Sequence, residues 1–147
     1  FTVTGKSTLG GNVTTGEQRY DGLVTLGANT ILNAAGGNKI ALNAGVDGNG
    51  RSLGLTSTNA AADAIKTTGD IGGVTNLTVT GNSSLGGNVT TSGTQTYTAK
   101  ATLATAANLQ GTSLSFNNLD ATGQALGVRT AQPRRRPACR APHPIDE

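Results

Sequence analysis

Hydrophobic residues along this chain occur in short bursts, separated by single polar or small residues. In Ile40-Ala41-Leu42, Leu53-Gly54-Leu55, Leu77-Thr78-Val79 and Leu114-Ser115-Phe116, the large apolar side chains lie two positions apart. A period of two places them on one side of a β-strand, whereas an amphipathic helix needs a period of 3.6. The pattern therefore predicts short β-strands with an apolar inner side and a polar outer side.

Glycine and asparagine clusters separate these predicted strands. Examples are Gly10-Gly11-Asn12, Gly36-Gly37-Asn38 and the run from Asp47 to Gly50. Both residue types tolerate the positive φ angles that tight turns need, so the clusters predict turns. One alanine-rich segment, residues 59–66, fits either a helical turn or a turn loop.

The chain also contains an internal repeat. Residues 1–15 read FTVTGKSTLGGNVTT and residues 77–91 read LTVTGNSSLGGNVTT, so twelve of fifteen positions are identical. With one inserted residue the alignment continues and brings Tyr20 opposite Tyr97. Self-similarity at a fixed period is typical of repeat architectures. Copies that start at residues 1 and 77 are thus expected, each of several stacked turns.

Composition decides between two all-β architectures. The chain has 22 glycines in 147 residues, no Trp or Met, and only 3% aromatic residues. Leu, Val, Ile and Phe together supply 29 residues, which is little for the two facing sheets of tandem Ig-like β-sandwich repeats. A parallel β-helix, or β-solenoid, needs only small and medium side chains inside each turn and gains ladders of Asn and Thr. We therefore predict a β-solenoid, with the tandem sandwich as the alternative.

The last nineteen residues differ in composition from the rest of the chain. Residues 1–128 hold six basic and six acidic residues, so the net charge of +3 comes from residues 129–147 with their five arginines. All four prolines, Cys139 and His143 also lie there. Proline cannot donate to a ladder and like charges repel. We expect a solenoid over residues 1–128 and a disordered Arg/Pro-rich tail over 129–147, and hypothesise that the tail comes from a truncated or frame-shifted gene.

The repeated phrases resemble a known class of proteins. Leu77-Thr78-Val79-Thr80-Gly81 and Gly86-Gly87-Asn88-Val89-Thr90, with their weaker copies near the start, resemble large bacterial exoproteins of the filamentous-haemagglutinin-like and β-strand-repeat adhesin type. The resemblance covers about residues 1–120. It implies a right-handed parallel β-helix, exported by a two-partner or autotransporter route, with structural repeats and no catalytic residue. The secretion domain and anchor of that class have no counterpart in this sequence.

Motifs that suggest chemistry do not fit their patterns. Gly5-Lys6-Ser7 lacks the first glycine of a phosphate-binding loop, and Asn82 replaces Lys6 in the second copy. Gly48-Asn49-Gly50 lacks dinucleotide-binding spacing, and Asp47 beside it fits a solvated turn better than a calcium loop. A single His and a single Cys cannot form a zinc site or a nucleophilic triad. We predict no catalytic, cofactor-binding or metal site.

These features together predict a secreted or cell-surface adhesive segment. Its expected partners are host glycans, host surface proteins or other cells, with no specific nucleic-acid partner and no membrane span. An ice-binding solenoid is one alternative, because Thr2-Val3-Thr4, Thr78-Val79-Thr80 and Thr96-Tyr97-Thr98 suit a water-ordering face if they stack in register. A carbohydrate-active β-helix enzyme is another, and requires a cluster of carboxylates among Asp47, Asp63, Asp70 and Asp120.

Overall fold

The computed structural model describes residues 1–130 and shows an all-β chain, with no helix in that range. Every strand pairing is parallel, and the strands stack into a β-solenoid of about seven turns. This confirms the predicted fold class and excludes the antiparallel sandwich. The prediction of a disordered tail falls for the most part on residues 131–147, which lie outside the described residues.

Each turn contributes three strands, so the solenoid has three faces that we name A, B and C. Face A contains β1 (Thr2–Val3), β4 (Gln18–Tyr20), β7 (Ile40–Leu42), β10 (Ile65–Thr67) and β13 (Ser83–Leu85). Face B contains β2 (Ser7–Leu9), β5 (Val24–Leu26), β8 (Val46–Asp47), β11 (Ile71–Val74), β14 (Val89–Thr91), β16 (Ala107–Gly111) and β18 (Leu126–Thr130). Face C contains β3 (Val13–Thr15), β6 (Thr30–Ala34), β9 (Leu53–Ser57) and β12 (Leu77–Thr80).

Two longer strands pass from face C to face A. The first part of β15 (Thr94–Leu103) pairs with β12 on face C, and its last residues pair with β13 on face A. β17 (Ser113–Asp120) follows β15 along both faces. Because β15 bridges the corner, faces A and C form one eleven-stranded sheet, whereas face B is a separate sheet of seven strands.

The core is a thin column of apolar side chains that stack from turn to turn. On face C the register places Leu32, Leu55, Val79 and Tyr97 next to one another, all of them buried. The residues between them point outwards, as the period-two pattern predicts. No strand buries more than four side chains and most of the inner strands bury two, which explains why a chain with few large apolar residues can fold.

Two buried glutamines satisfy polar groups inside this column. The Gln18 side-chain amide donates to the carbonyl oxygens of Val13 and Asn33 at 3.2 and 2.8 Å, and the Tyr20 hydroxyl donates to Gln18 Oε1 at 3.1 Å. Gln95 and Tyr97 repeat this arrangement: Gln95 donates to the carbonyls of two face B strands at 3.1 and 2.7 Å, and Tyr97 donates to Gln95 Oε1 at 3.1 Å.

The two copies of the repeat do not lie on the same faces. β1, β2 and β3 of the first copy correspond to β12, β13 and β14 of the second, a shift of eleven strands. With three strands a turn, eleven strands are three full turns and two further faces. The second copy therefore starts on face C, two faces after face A. Val13 accordingly lies on face C, but its counterpart Val89 lies on face B.

Turn segments behave largely as the sequence suggests. Residues 61–64 form a turn, in which Ala64 N donates to the Ala61 carbonyl at 3.1 Å. The turn-loop interpretation is therefore correct for residues 59–64, whereas Ile65 and Lys66 belong to β10. Asn49 and Gly50 have positive φ angles of 47° and 72°, and Asn49 N donates to Asp47 Oδ1.

Candidate binding face

The outer surface of face C carries two parallel columns of side chains. Ile31, Gly54, Thr78, Thr96 and Ser115 occupy successive turns of the first column. Asn33, Thr56 and Thr80 occupy the second column, alongside Thr14 of the first turn. Outward positions in stacked parallel strands repeat about every 4.8 Å. Hydroxyl groups therefore recur along the first column from Thr78 to Ser115, and hydroxyl and amide groups recur along the second column.

A groove interrupts the first column at Gly54. The groove has a volume of about 610 Å³, is open to solvent, and is lined by residues of several turns that include Ile31, Gly54, Thr56, Thr78 and Thr80. Because Gly54 has no side chain, the groove reaches the backbone between Ile31 and Thr78. Ile31 is 48% exposed and supplies an apolar wall. A Cβ at Gly54 would lie 3.2 Å from Ile31 Cγ1, so even a small side chain would fill part of the groove.

Asparagines fix the edge of the groove where three strands of face C begin, namely β3, β6 and β12. Asn12 Oδ1 accepts a hydrogen bond from Ile31 N at 2.8 Å, and Asn29 Oδ1 accepts one from Ser52 N at 3.0 Å. Asn76 Oδ1 accepts from both the amide and the hydroxyl of Thr94, at 2.9 and 3.1 Å. Each bond joins one turn to the next, so the polar rim is held by the backbone ladder.

No charged side chain lines this groove. Three ion pairs lie elsewhere on the described surface: Arg19 with Asp21, Lys39 with Asp63, and Lys100 with Asp120. The ammonium groups of Lys39 and Lys100 hold the pKa of the Asp63 and Asp120 carboxyls below their usual range. The groove is therefore an uncharged surface suited to an uncharged ligand.

The carboxylates that an enzyme would need have separate local partners. Asp47 accepts from Asn49 N at 3.0 Å, Asp70 from Asn88 N at 2.7 Å, and Asp63 and Asp120 bind lysines. Within residues 1–130, no group of three or more His, Cys, Asp or Glu is placed to hold a metal ion. His143 and Cys139 lie outside the described part of the chain.

The remaining motifs are parts of the ladder. Ser7 opens β2, and its amide donates to the Leu23 carbonyl at 3.0 Å, so Gly5-Lys6-Ser7 is a turn and a strand start. Of the three threonine triplets, those at Thr78 and Thr96 stack on adjacent turns of face C, whereas Thr2-Val3-Thr4 starts on face A. Across residues 1–130, no helix is long and apolar enough to cross a bilayer.

Sequence reasoning missed two features of the site. The first is the groove, because only the register shows that Gly54 lies between Ile31 and Thr78. The second is the buried Gln–Tyr pair, whose signal is Gln-x-Tyr in both copies, at Gln18 and Gln95. No protein-family model matches the chain, and no curated protein or solved structure is significantly similar to it.

Proposed function

We propose that this chain is a structural and adhesive segment of a secreted or cell-surface bacterial exoprotein, and that face C is its contact surface. The observation that carries the proposal is the uncharged groove at Gly54, set in a regular array of outward hydroxyl and amide groups. The solenoid supplies a rigid, repetitive scaffold for that surface. No catalytic step is part of this function.

The chemistry of the groove fits a neutral glycan best. Ile31 offers an aliphatic wall for the C–H face of a sugar ring, and Thr56, Thr78 and Thr80 offer hydroxyls that donate and accept hydrogen bonds. Binding sites commonly combine an apolar wall with a few placed polar groups. An anionic ligand gains nothing here because the lining has no basic side chain.

Ice binding is a second candidate, favoured by one observation. Thr78 lies directly beside Thr96 of the next turn, and the Thr98 hydroxyl donates to the Val79 carbonyl at 3.4 Å, so the threonines of these two strands form a small patch. The neighbouring turns break this pattern, since Gly54 and Ile31 occupy the same column. The regular patch thus extends over two turns, which is little area for ordering water.

One substitution distinguishes the two candidates. Gly54→Thr fills the part of the groove between Ile31 and Thr78 and at the same time extends the threonine column. The matched control is Gly72→Thr, which faces outwards on face B, where a new Cβ meets nothing within 4 Å. Binding to an array of neutral glycans and to host cells should fall at least about tenfold for Gly54→Thr and stay unchanged for Gly72→Thr.

Two results would contradict adhesion through this groove. The first is full glycan and cell binding by the Gly54→Thr variant, and the second is no binding by the unaltered chain. Thermal hysteresis that is present in the unaltered chain and increases in Gly54→Thr would support ice binding instead.

A further inference from the structure

We infer that Asn49 is a site of spontaneous deamidation that the folded solenoid protects, so that the modification takes place when the pairing between β8 and β11 opens. The inference is independent of the adhesive function. It starts from one dipeptide, because Asn49-Gly50 is the only place in the sequence where asparagine precedes glycine. The dipeptide lies between β8 and β9, in a segment that we call the Asn49 loop, residues 48–52.

Deamidation at this dipeptide needs no enzyme and no cofactor. The Gly50 backbone nitrogen gives its proton to solvent hydroxide and attacks Asn49 Cγ, so that an N–Cγ bond forms and the Cγ–Nδ2 bond breaks. Nδ2 takes a proton from water and leaves as ammonia, and a water molecule then hydrolyses the five-membered imide to aspartate or isoaspartate. Glycine is the residue that hinders this attack least, because it has no side chain and the widest choice of backbone conformations.

The backbone conformation of Asn49 keeps the two reacting atoms apart. Its φ angle is 47°, in the left-handed region, where ψ is positive as well. A positive ψ turns the Gly50 nitrogen to the opposite side of the Cα–C bond from the Asn49 side chain. The imide ring needs that nitrogen and Cβ on the same side, so the attack cannot take place in the folded loop.

Hydrogen bonds hold the loop in this conformation. Gly50 N donates to the Gly73 carbonyl at 2.7 Å, so the proton that the reaction must remove is already bound. The Thr75 hydroxyl donates to the Gly50 carbonyl at 2.8 Å, and Asn49 N donates to Asp47 Oδ1 at 3.0 Å. Deamidation therefore requires the loop to separate from the next turn of the solenoid, which is a local opening of the structure.

The products do not fit the loop that protects the asparagine. Aspartate at position 49 places a second carboxylate beside Asp47, and like charges at short distance repel. Isoaspartate adds Cβ to the main chain, which moves Gly50 N out of register with the Gly73 carbonyl. Each modified chain is thus a lasting record that this loop has opened.

The test compares the full 147-residue chain when folded and when unfolded in guanidinium chloride, at one mildly alkaline pH and one temperature. Peptide mass spectrometry follows the fraction of Asn49 that has exchanged its amide nitrogen for oxygen. Deamidation of Asn49 should be at least about tenfold slower in the folded chain, because its rate follows the open fraction of the loop. Asn88 precedes the β-branched Val89, which hinders the attack, and is the slow internal reference in both states.

Two neighbouring glycines provide matched variants. Gly73→Ala introduces a Cβ 3.1 Å from Asp47 Oδ1 and 3.2 Å from Asn49 N, at a φ angle of 65°, so it loosens the contact with the loop. Gly72→Ala introduces a Cβ that meets nothing within 4 Å. Circular dichroism checks that both variants fold, and Asp47→Ala, which removes the bond to Asn49 N, replaces Gly73→Ala if that variant does not.

When folded, Gly73→Ala should deamidate at Asn49 at least about threefold faster than Gly72→Ala, and the two rates should be equal when both chains are unfolded. Three results would overturn the inference. They are a folded chain whose Asn49 is protected less than about tenfold, folded variants that differ less than about threefold, and an unfolded chain in which Asn49 deamidates no faster than Asn88.

Discussion

At the scale of single residues, the hydrogen-bond network around Gln95 is important for stability because the apolar core is thin. Its side chain is buried and bonds to two backbone carbonyls and to the Tyr97 hydroxyl. A buried polar group that loses its partner costs about 1–3 kcal/mol, which is more than the net contribution of a satisfied bond. The same network at Gln18 shows that it belongs to the repeated sequence and not to one face.

Replacing Gln95 by leucine should therefore destabilise the fold by about 2–4 kcal/mol, since it leaves the Tyr97 hydroxyl and part of the carbonyl capacity unsatisfied. Urea unfolding followed by circular dichroism measures the change. Thr96→Val, at the neighbouring outward position, is the control and should change the free energy of unfolding by less than about 0.5 kcal/mol. A Gln95→Leu variant as stable as the unaltered chain would show that the network is dispensable.

Burial also raises the pKa of Tyr97 well above its usual value. An unfolded tyrosine ionises near pH 10, whereas the folded chain holds the proton to higher pH. The associated stability is therefore fully present below about pH 10 and is lost as the pH rises through and beyond that value. Alkaline unfolding monitored by tyrosinate absorbance should show ionisation and unfolding together. Tyr97→Phe should weaken this pH dependence, with a remainder from Tyr20, whose pKa burial also raises. Ionisation of Tyr97 near pH 10 in a chain that remains folded would contradict this prediction.

At the scale of elements, period-two patterning predicted the strands in which large apolar residues alternate with small or polar ones. Leu77-Thr78-Val79 alternates buried, exposed and buried, as its residues predict. The pattern was not recognised at Ile65 and Lys66, which were assigned to a turn but begin β10. Pairing partners were not predictable in this way. Neighbours in the sheet are 17 to 25 residues apart in register pairs such as Thr2↔Arg19 and Lys66↔Ala41, and that spacing depends on turn lengths that vary from turn to turn.

The inward direction of Val79 leads to a direct prediction. Val79→Asp places an unpaired charge in the core, which costs several kcal/mol, so the stack should lose its β-sheet signal or its protease resistance. Thr78→Asp introduces the same charge one residue earlier, on an exposed side chain of the same strand. That control should remain folded. Equal stability of the two variants would mean that this strand has no inner and outer side.

At the scale of the whole molecule, one sequence repeat does not span a whole number of solenoid turns. A unit of eleven strands in a three-faced coil starts the second copy two faces further round than the first, so equivalent surface residues such as Thr14 and Thr90 point in different directions. Sequence identity at an offset of 76 suggested stacked copies but not this rotation. The number of strands in a turn depends on where the chain bends, and the glycine and asparagine clusters mark the bends without fixing their angle.

Distances between spin labels test the three-faced solenoid most directly. With Cys139 replaced by serine, pairs of cysteines at Thr2 and Ser84 on face A, and at Thr8 and Thr90 on face B, are each separated by four turns on the same face. The account predicts similar distances for both pairs, centred near about 19 Å, which is four spacings of about 4.8 Å. Pulsed electron–electron double resonance measures these distances. Labels at positions Thr8 and Ser84, which lie on different faces, provide a third distance. Two results would contradict the three-faced solenoid. In the first, the distances of the first two pairs differ by more than about 10 Å; in the second, both exceed about 30 Å, as separate stacked domains require.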